Sequence, residues 1–282
     1  MDRLFRLLNV FAIEGDPFSG NPLCVFEDAR GLSDRDMQAW SRQFNLSESS
    51  FVTRLDAATA EADIRIFTPA HEMPFAGHPT LGTAHVVAEL AGDRSTVHLS
   101  MPAGRIPVTR TENGWRLSVP EPVSRPVEST RAELAAALGL DATLVAPAGA
   151  RWVDAGVEQV VVRLESVDAV RSCRPDALAM ARHMTAPGRP PHAYAWAWTG
   201  PETIEARLFY TQDGAVLEDP ATGSACANLG GWLRADGAAG TEVLVSQGTA
   251  VGRPSRLELA VREDGSVEVG GAVVEVGSGT VT

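Results

Sequence analysis

Two segments constrain the fold more than anything else in the chain: FAGHPTLGTAHVVAEL (75–90) and DPATGSACANLGGWL (219–233). Each begins with small or polar residues and passes directly into a helical pattern that is apolar on nearly every side. A helix on a protein surface keeps a polar face, so a helix that is apolar all round belongs in a core. Two of them in one chain call for two places where a sheet wraps round a helix. Each start also needs a reason, because glycine, proline and histidine are not what a helix needs merely to begin.

The rest of the chain supplies the strands. LFRLLNVFAI (4–13) and LCVFEDA suit buried strands, separated by the turn GDPFSGNP. SESSFVTRL (47–55) and ADIRIFTP (62–69) alternate as half-buried strands. Between these pairs SDRDMQAWSRQFN (33–45) reads as a helix capped by Ser33 with acidic residues in its first turn. After the first apolar helix come three short strands, STVHLSMP, GRIPVTRT and GWRLSVP. EPVSRPVEST (121–130), rich in Pro, Glu and Ser, reads as a linker. The order then repeats. A helix (RAELAAALGL) precedes strands around RWVDAG, QVVVRL, AYAWAW and EARLFYT. A turn ending in LEDPATGS leads into the second apolar helix, and TEVLVSQGT, SRLELAVRE and VEVGGAVVEVG close the chain. The expected fold is α+β: two pseudo-symmetric halves, each a strongly curved, mostly antiparallel sheet round a central helix. Their expected spans are 1–118 and 119–282, with the last strands able to return to the first half.

Composition narrows the function. With 44% hydrophobic and 21% charged residues over 282 positions, the chain is an ordinary globular protein of one large or two medium domains. A net charge of −12 argues against nucleic acid or an anionic membrane as partner, yet leaves room for a locally positive site. All 24 basic residues are arginines. No lysine is present to form a Schiff base or to serve a phosphate loop. The three cysteines, Cys24, Cys173 and Cys226, form no CxxC pair and point to a reducing compartment. The N-terminus lacks the pattern of a signal peptide, and no apolar run approaches the ~20 residues of a membrane span. The expectation is a cytoplasmic protein.

The helix starts then acquire a purpose. The first four N–H groups of a helix have no partner within it, and its N-terminus carries partial positive charge. Gly77 and Gly223 would let a ligand approach that backbone, while Thr80, Thr222 and Ser224 offer hydroxyls. Such a site suits a carboxylate or phosphate. The plainer reading makes Pro79 and Thr80 ordinary capping residues and Gly223 an ordinary turn. Two motifs at matched places weigh against it.

Three residues are candidates for acid–base chemistry. Glu48 opens a strand beside Leu46, Phe51 and Val52, and a carboxyl next to apolar surface can act near neutral pH. Exposure at a strand edge is its plainer reading. Asp219 precedes Pro220 at the second helix start, where an N-cap is the plainer role. His78, at the first, could donate a hydrogen bond or shuttle a proton, or simply pack. His71, His78 and His85 are seven apart, too far along a helix for one metal, so no metal site is expected. GxGxxG, GxxxxGK and GxSxG are absent. Ser224 lacks a nucleophile's setting, and Cys226 falls inside a helix as a small apolar residue.

DPFSGNPLCVF (16–26), NLSESSFV (45–52), IRIFTPAHEMPFAGHPTLGTAHV (64–86), EDPATGSACANLGGWL (218–233) and SQGTAVGRPSRL (246–257) together resemble the PhzF family, named for a phenazine-biosynthesis isomerase and related to diaminopimelate epimerase. The resemblance implies the fold inferred above, acid–base chemistry without a cofactor, and a homodimer. It makes Glu48 the proton-transferring acid and places His78, Asp219 and Ser224 round a small carboxylate-bearing substrate held between the two helix N-termini. The Gly77 and Gly223 backbones would hold the carboxylate, with Thr80 and Asn21 as further substrate-binding positions. The related epimerases and proline racemases use a thiol at each helix start. This chain has His78 and Asp219 there, which disfavours a two-thiol racemase. It also has Ser49-Ser50 where the family more usually has Thr-Ala. Isomerisation is therefore the leading expectation, with amino-acid epimerisation and non-catalytic anion binding as the alternatives.

Overall fold

The computed structural model describes residues 2–282. The chain divides into two compact units, 1–118 with 270–282 and 119–269.

The first unit begins with β1 (Arg3–Val10), which ends where Phe11 turns into the left-handed region (φ 61°), and continues with β2 (Asn21–Phe26). Helix α1 (Asp34–Phe44) starts at a full capping box between Ser33 and Asp36 and stops at Asn45, whose φ of 53° ends the helical path. Next come β3 (Glu48–Asp56), β4 (Glu61–Phe67), the two-residue β5 (Glu72–Met73) and the central helix α2 (Gly77–Leu90). Strands β6 (Thr96–Met101), β7 (Gly104–Arg110) and β8 (Trp115–Ser118) complete this stretch. β2 runs parallel to β3 and β4 parallel to β6; β1–β2, β3–β4, β6–β7 and β7–β8 are antiparallel.

The second unit repeats that order. Its elements are β9 (Val123–Pro126), α3 (Arg131–Ala137), β10 (Val145–Asp154), β11 (Glu158–Leu164), α4 (Val167–Ser172), α5 (Ala177–His183), β12 (His192–Gly200), β13 (Thr203–Gln212) and β14 (Ala215–Asp219). The central helix α6 (Gly223–Ala235) and strands β15 (Thr241–Gln247), β16 (Ser255–Val261) and β17 (Val267–Gly271) follow. Again two pairs are parallel, β11–β12 and β13–β15, at the positions equivalent to β2–β3 and β4–β6. The last strand, β18 (Val273–Val281), returns to the first unit and pairs antiparallel with β1, as β9 pairs with β10 in the second.

Both central helices are swallowed by their sheets. In α2 all residues from His78 to Ala84 are buried, and in α6 all from Ala225 to Leu233. The sheets come so close that a Cβ on Gly82 would lie 2.5 Å from Leu23 Cδ2, and one on Gly230 2.5 Å from Val267 Cγ1. The opposite face of the first sheet is covered by α1, through Met37 and an aromatic cluster that includes Phe26, Phe51 and Phe67. Helices α3, α4 and α5 bury residues in the equivalent cluster of the second unit.

Three differences from the sequence reading follow from packing. Ser49–Val52 of β3 are buried without a break rather than alternately, because α2 and α1 lie on opposite faces of the strand. The expected linker contains β9, a strand that admits Pro126 at a position facing Arg151. The segment 166–184, to which the sequence pattern assigns no element, forms α4 and α5, each with its own side-chain cap at Ser166 and Asp176.

Candidate active-site residues in the two units

The structure caps its helices selectively. Side-chain hydrogen bonds close the N-termini of α1, α3, α4 and α5, from Ser33, Thr130, Ser166 and Asp176. The two central helices have none: Ala76 and Thr222 occupy the cap positions, with no acidic residue in either first turn. In α2 the first N–H to close a bond within the helix is that of Thr80, to Ala76 O (3.2 Å). In α6 it is that of Cys226, to Thr222 O (3.0 Å). The N–H groups of Gly77 and His78, and of Gly223, Ser224 and Ala225, therefore lie outside the helical ladder at the positive end of each dipole. Both glycines are partly exposed. Each helix start can thus receive an anion.

In the first unit Glu48 is the first residue of β3, and its side chain is 17% exposed. Strand alternation puts Glu48 and Ser50 on the same face. Ser50 Oγ lies 2.5 Å from Thr83 Oγ1 of α2, and Thr83 in turn donates to Pro79 O (2.6 Å). The serine at position 50 thus stitches β3 to α2 two residues from Glu48. His78, 6% exposed, places Nδ1 3.5 Å from Glu48 Oε2. Burial pushes its imidazole from the ordinary 6.5 down to about 3, outweighing a hydrogen bond that the ring donates to the Pro22 backbone carbonyl and that acts the other way. The contact with Glu48 is therefore between a carboxyl and a neutral imidazole and is not an ion pair. His78 Nε2 is buried and has no hydrogen-bond partner among the described residues. Asn21, almost fully buried at the start of β2, accepts from Ser47 Oγ (3.0 Å) and so ties the GNP turn to the residue before Glu48.

Thr80 takes a different place from the one expected. It is fully buried, and its hydroxyl donates to Ala76 O (2.7 Å). The helix turns this side chain inward, where its hydroxyl stabilises the first turn.

In the second unit Asp219 is the last residue of β14, not the N-cap of α6; Thr222 holds that position. The Thr222 hydroxyl makes a short hydrogen bond to Asp219 Oδ2. Gln247 Nε2 donates to both Asp219 O (2.9 Å) and Thr222 Oγ1 (3.0 Å), and Tyr194 OH donates to Gln247 Oε1 (3.2 Å). Ser224, partly exposed in the first turn, receives a long hydrogen bond from Gln159 Nε2 (3.4 Å). Gln159 is held by Asn228 Nδ2 (2.9 Å) from within α6. Reading the sequence alone missed Gln247, Tyr194, Gln159 and Asn228. The only signal for Gln247 was its presence in the SQGTAVGRPSRL motif.

The three cysteines are all buried, and burial holds each thiol well above its ordinary range. The histidines spaced by seven fall into separate settings. His71 sits in a turn with Thr68, His78 faces Glu48, and His85 lies 3.3 Å from Glu89 while receiving a hydrogen bond from Trp115 Nε1 (3.4 Å). Among the described residues no group of three or more His, Cys, Asp or Glu is arranged to hold a metal ion. No helix among them is long and apolar enough to cross a membrane.

A repeated sheet-round-helix unit with an open helix start in each half is the fold of the epimerases and racemases. A hydroxyproline epimerase from Agrobacterium vitis has the same fold at a TM-score of 0.61 and 10% identity, covering 99% of this chain and 92% of that one. Among the proteins that share this fold, the chain belongs to the phenazine biosynthesis-like family, PhzC-PhzF, whose profile matches residues 8–279. Trans-2,3-dihydro-3-hydroxyanthranilate isomerase from Pseudomonas aeruginosa is 35% identical over 285 residues, spanning 98% of this chain and 96% of the relative. The crystal structure of a PhzF-family protein from Bacillus anthracis superposes with a TM-score of 0.85 at 22% identity, covering 100% of this chain and 99% of that one. The protein is an isomerase of this family.

Proposed function

We propose that the protein isomerises a small carboxylate-bearing metabolite by cofactor-independent proton transfer, with Glu48 as the acid–base. One observation carries this reading: Glu48 meets a neutral, buried His78 beside the uncapped start of α2. Open helix N–H groups bind the substrate carboxylate. Glu48 takes a proton from one carbon, the double bond shifts, and Glu48, its carboxyl proton exchanging with solvent, delivers a proton to another carbon. Nothing is oxidised or reduced. His78 hydrogen-bonds through one ring nitrogen and keeps the other as an acceptor, so it orients the substrate or Glu48 without carrying charge. A positioned acid–base contributes about 10²–10⁴-fold, and each preorganised donor to developing charge about 10²–10³-fold.

The name of the 35%-identical relative supplies the first substrate to try, trans-2,3-dihydro-3-hydroxyanthranilate. Turnover in heavy water, followed by NMR, should place deuterium at the carbon that gains the proton. A screen of such cyclic amino and hydroxy acids that shows neither conversion nor exchange would remove the reading. The epimerase alternative needs a pair of reactive thiols in the pattern of the related racemases, and burial of all three cysteines speaks against it. We further propose a cytoplasmic homodimer acting on small molecules rather than on nucleic acid or membrane. Its support is the net charge of −12 and the sparse cysteines. Sedimentation at about twice the 29.9 kDa chain mass would agree with the dimer; the chain mass itself would refute it.

A further inference from the structure

The SQGTAVGRPSRL motif has no role in the chemistry described so far, yet Gln247 is almost fully buried at the end of β15, in hydrogen-bond contact with the Asp219–Thr222 turn. The direction of every hydrogen bond there is fixed by what each atom can do. A backbone carbonyl only accepts, so the group facing Asp219 O must be the Gln247 amide nitrogen. The amide's second N–H then points to Thr222 Oγ1, and its oxygen must accept from Tyr194 OH. With its oxygen already accepting from Gln247, Thr222 turns its own hydrogen to Asp219 Oδ2. Gly248 completes the clamp: its φ is +81°, and a Cβ there would collide with the carbonyls of Pro220 and Arg253. Glutamine and glycine are the residues this corner requires.

We propose that Gln247 is a positioning residue: through Thr222 it holds Asp219 as a hydrogen-bond-accepting carboxylate. The relay runs Tyr194 → Gln247 → Thr222 → Asp219. With Gln247 on one lone pair of Thr222, a protonated Asp219 donating to Thr222 would take the other and leave the threonine hydrogen without its Asp219 acceptor, so the arrangement favours the carboxylate. The charged and titratable groups nearby leave this polarity intact. Burial keeps the Tyr194 phenol protonated, with Cys226 and Asp219 adding to the effect, and Cys226 stays a thiol. Glu218, next to Asp219 on β14, is engaged by Arg207 of β13 (2.6 Å). The inference rests on the reading of Asp219 as a site residue, and it is tested without turnover.

The test is ¹³C NMR of protein labelled at the Asp carboxyl carbons, with Asp219→Asn to assign the Asp219 signal. Thr222→Val, which deletes the donor, should raise the Asp219 titration midpoint by about one unit. Thr222→Ser, which keeps it, should leave the midpoint in place. Gln247→Met should raise it in the same direction by about half as much, because the Thr222 hydroxyl is then free to turn. In the Thr222→Val background Gln247→Met should add nothing. Thr222 is partly exposed, so its variants keep the test decisive if Gln247→Met fails to fold. An unmoved midpoint in Thr222→Val, or an additive shift in the double variant, would overturn the proposal. A normal result here beside an inactive protein would instead count against the proposed reaction.

Discussion

Ala76 caps α2 without a side-chain hydrogen bond, at φ −149° and ψ 135°, the extended geometry an N-cap requires. Replacing it with serine should therefore stabilise the protein and weaken ligand binding together. Pro79 stands at the third helical position and has no N–H, so the new hydroxyl would accept from the N–H of His78. A serine or aspartate cap contributes about 1 kcal/mol, and aspartate gains a further ~0.3–1 kcal/mol from the helix dipole. For a chain of this size that raises Tm by about 2–4 °C per kcal/mol. The ligand loses what the cap takes. A serine competing for one N–H costs the substrate carboxylate about 1 kcal/mol, or roughly fivefold in affinity. Aspartate sets a charge about 4 Å from that carboxylate, worth about 4 kcal/mol at an effective dielectric near 20, a loss on the order of 10²–10³-fold. Calorimetry gives the first quantity; KM for a turned-over substrate, or thermal stabilisation by it, gives the second. Ala76→Asp with raised Tm and undiminished affinity would show that the α2 start does not bind the anion.

Other consequences can be checked directly. His78 is held near 3 in the fold against the ordinary 6.5, so above pH 6.5 it has no influence on stability. As pH falls from 6.5 towards 3 the unfolded chain takes a proton the folded one refuses, and about 2 kcal/mol of stability should be gone by pH 5. His78→Asn should flatten the wild-type slope in that window; parallel slopes would contradict the burial of a neutral ring. The native thiols should resist Ellman's reagent, and Cys226→Ser should keep turnover, whereas a catalytic thiol would lose it. Gly82→Ala should place its methyl 2.5 Å from Leu23 Cδ2, costing about 1–3 kcal/mol of overpacking against about 1 kcal/mol of helix propensity, a net loss by urea denaturation. A stabilised variant would mean that the sheet does not close tightly on α2.

Local chemistry determined what the sequence could reveal. Helices α2 and α6 were legible because an apolar surround and a small-residue start are written in consecutive residues. Glu48, His78 and Asp219 stood out for the same reason. What depended on tertiary partners was not visible. The Pro-rich stretch at 121–130 contains β9 because β10 is there to pair with it. Thr80 looked like a ligand donor, but the sequence does not say which side of the first turn faces the core. The capping reading of Asp219 failed in an informative way, since the aspartate accepts from the capping residue Thr222 instead of capping the helix itself. Gln247 lies 25 residues beyond Thr222, and only the parallel pairing of β13 with β15 shows which sheet carries it back to the α6 start.

The central claim is that Glu48 moves the proton. Glu48→Gln keeps the shape of the side chain and removes its ability to take or give a proton. Turnover in heavy water on the first substrate found should fall by about 10²–10⁴-fold, with folding and KM little changed. Full turnover with undiminished deuterium incorporation in Glu48→Gln would contradict it.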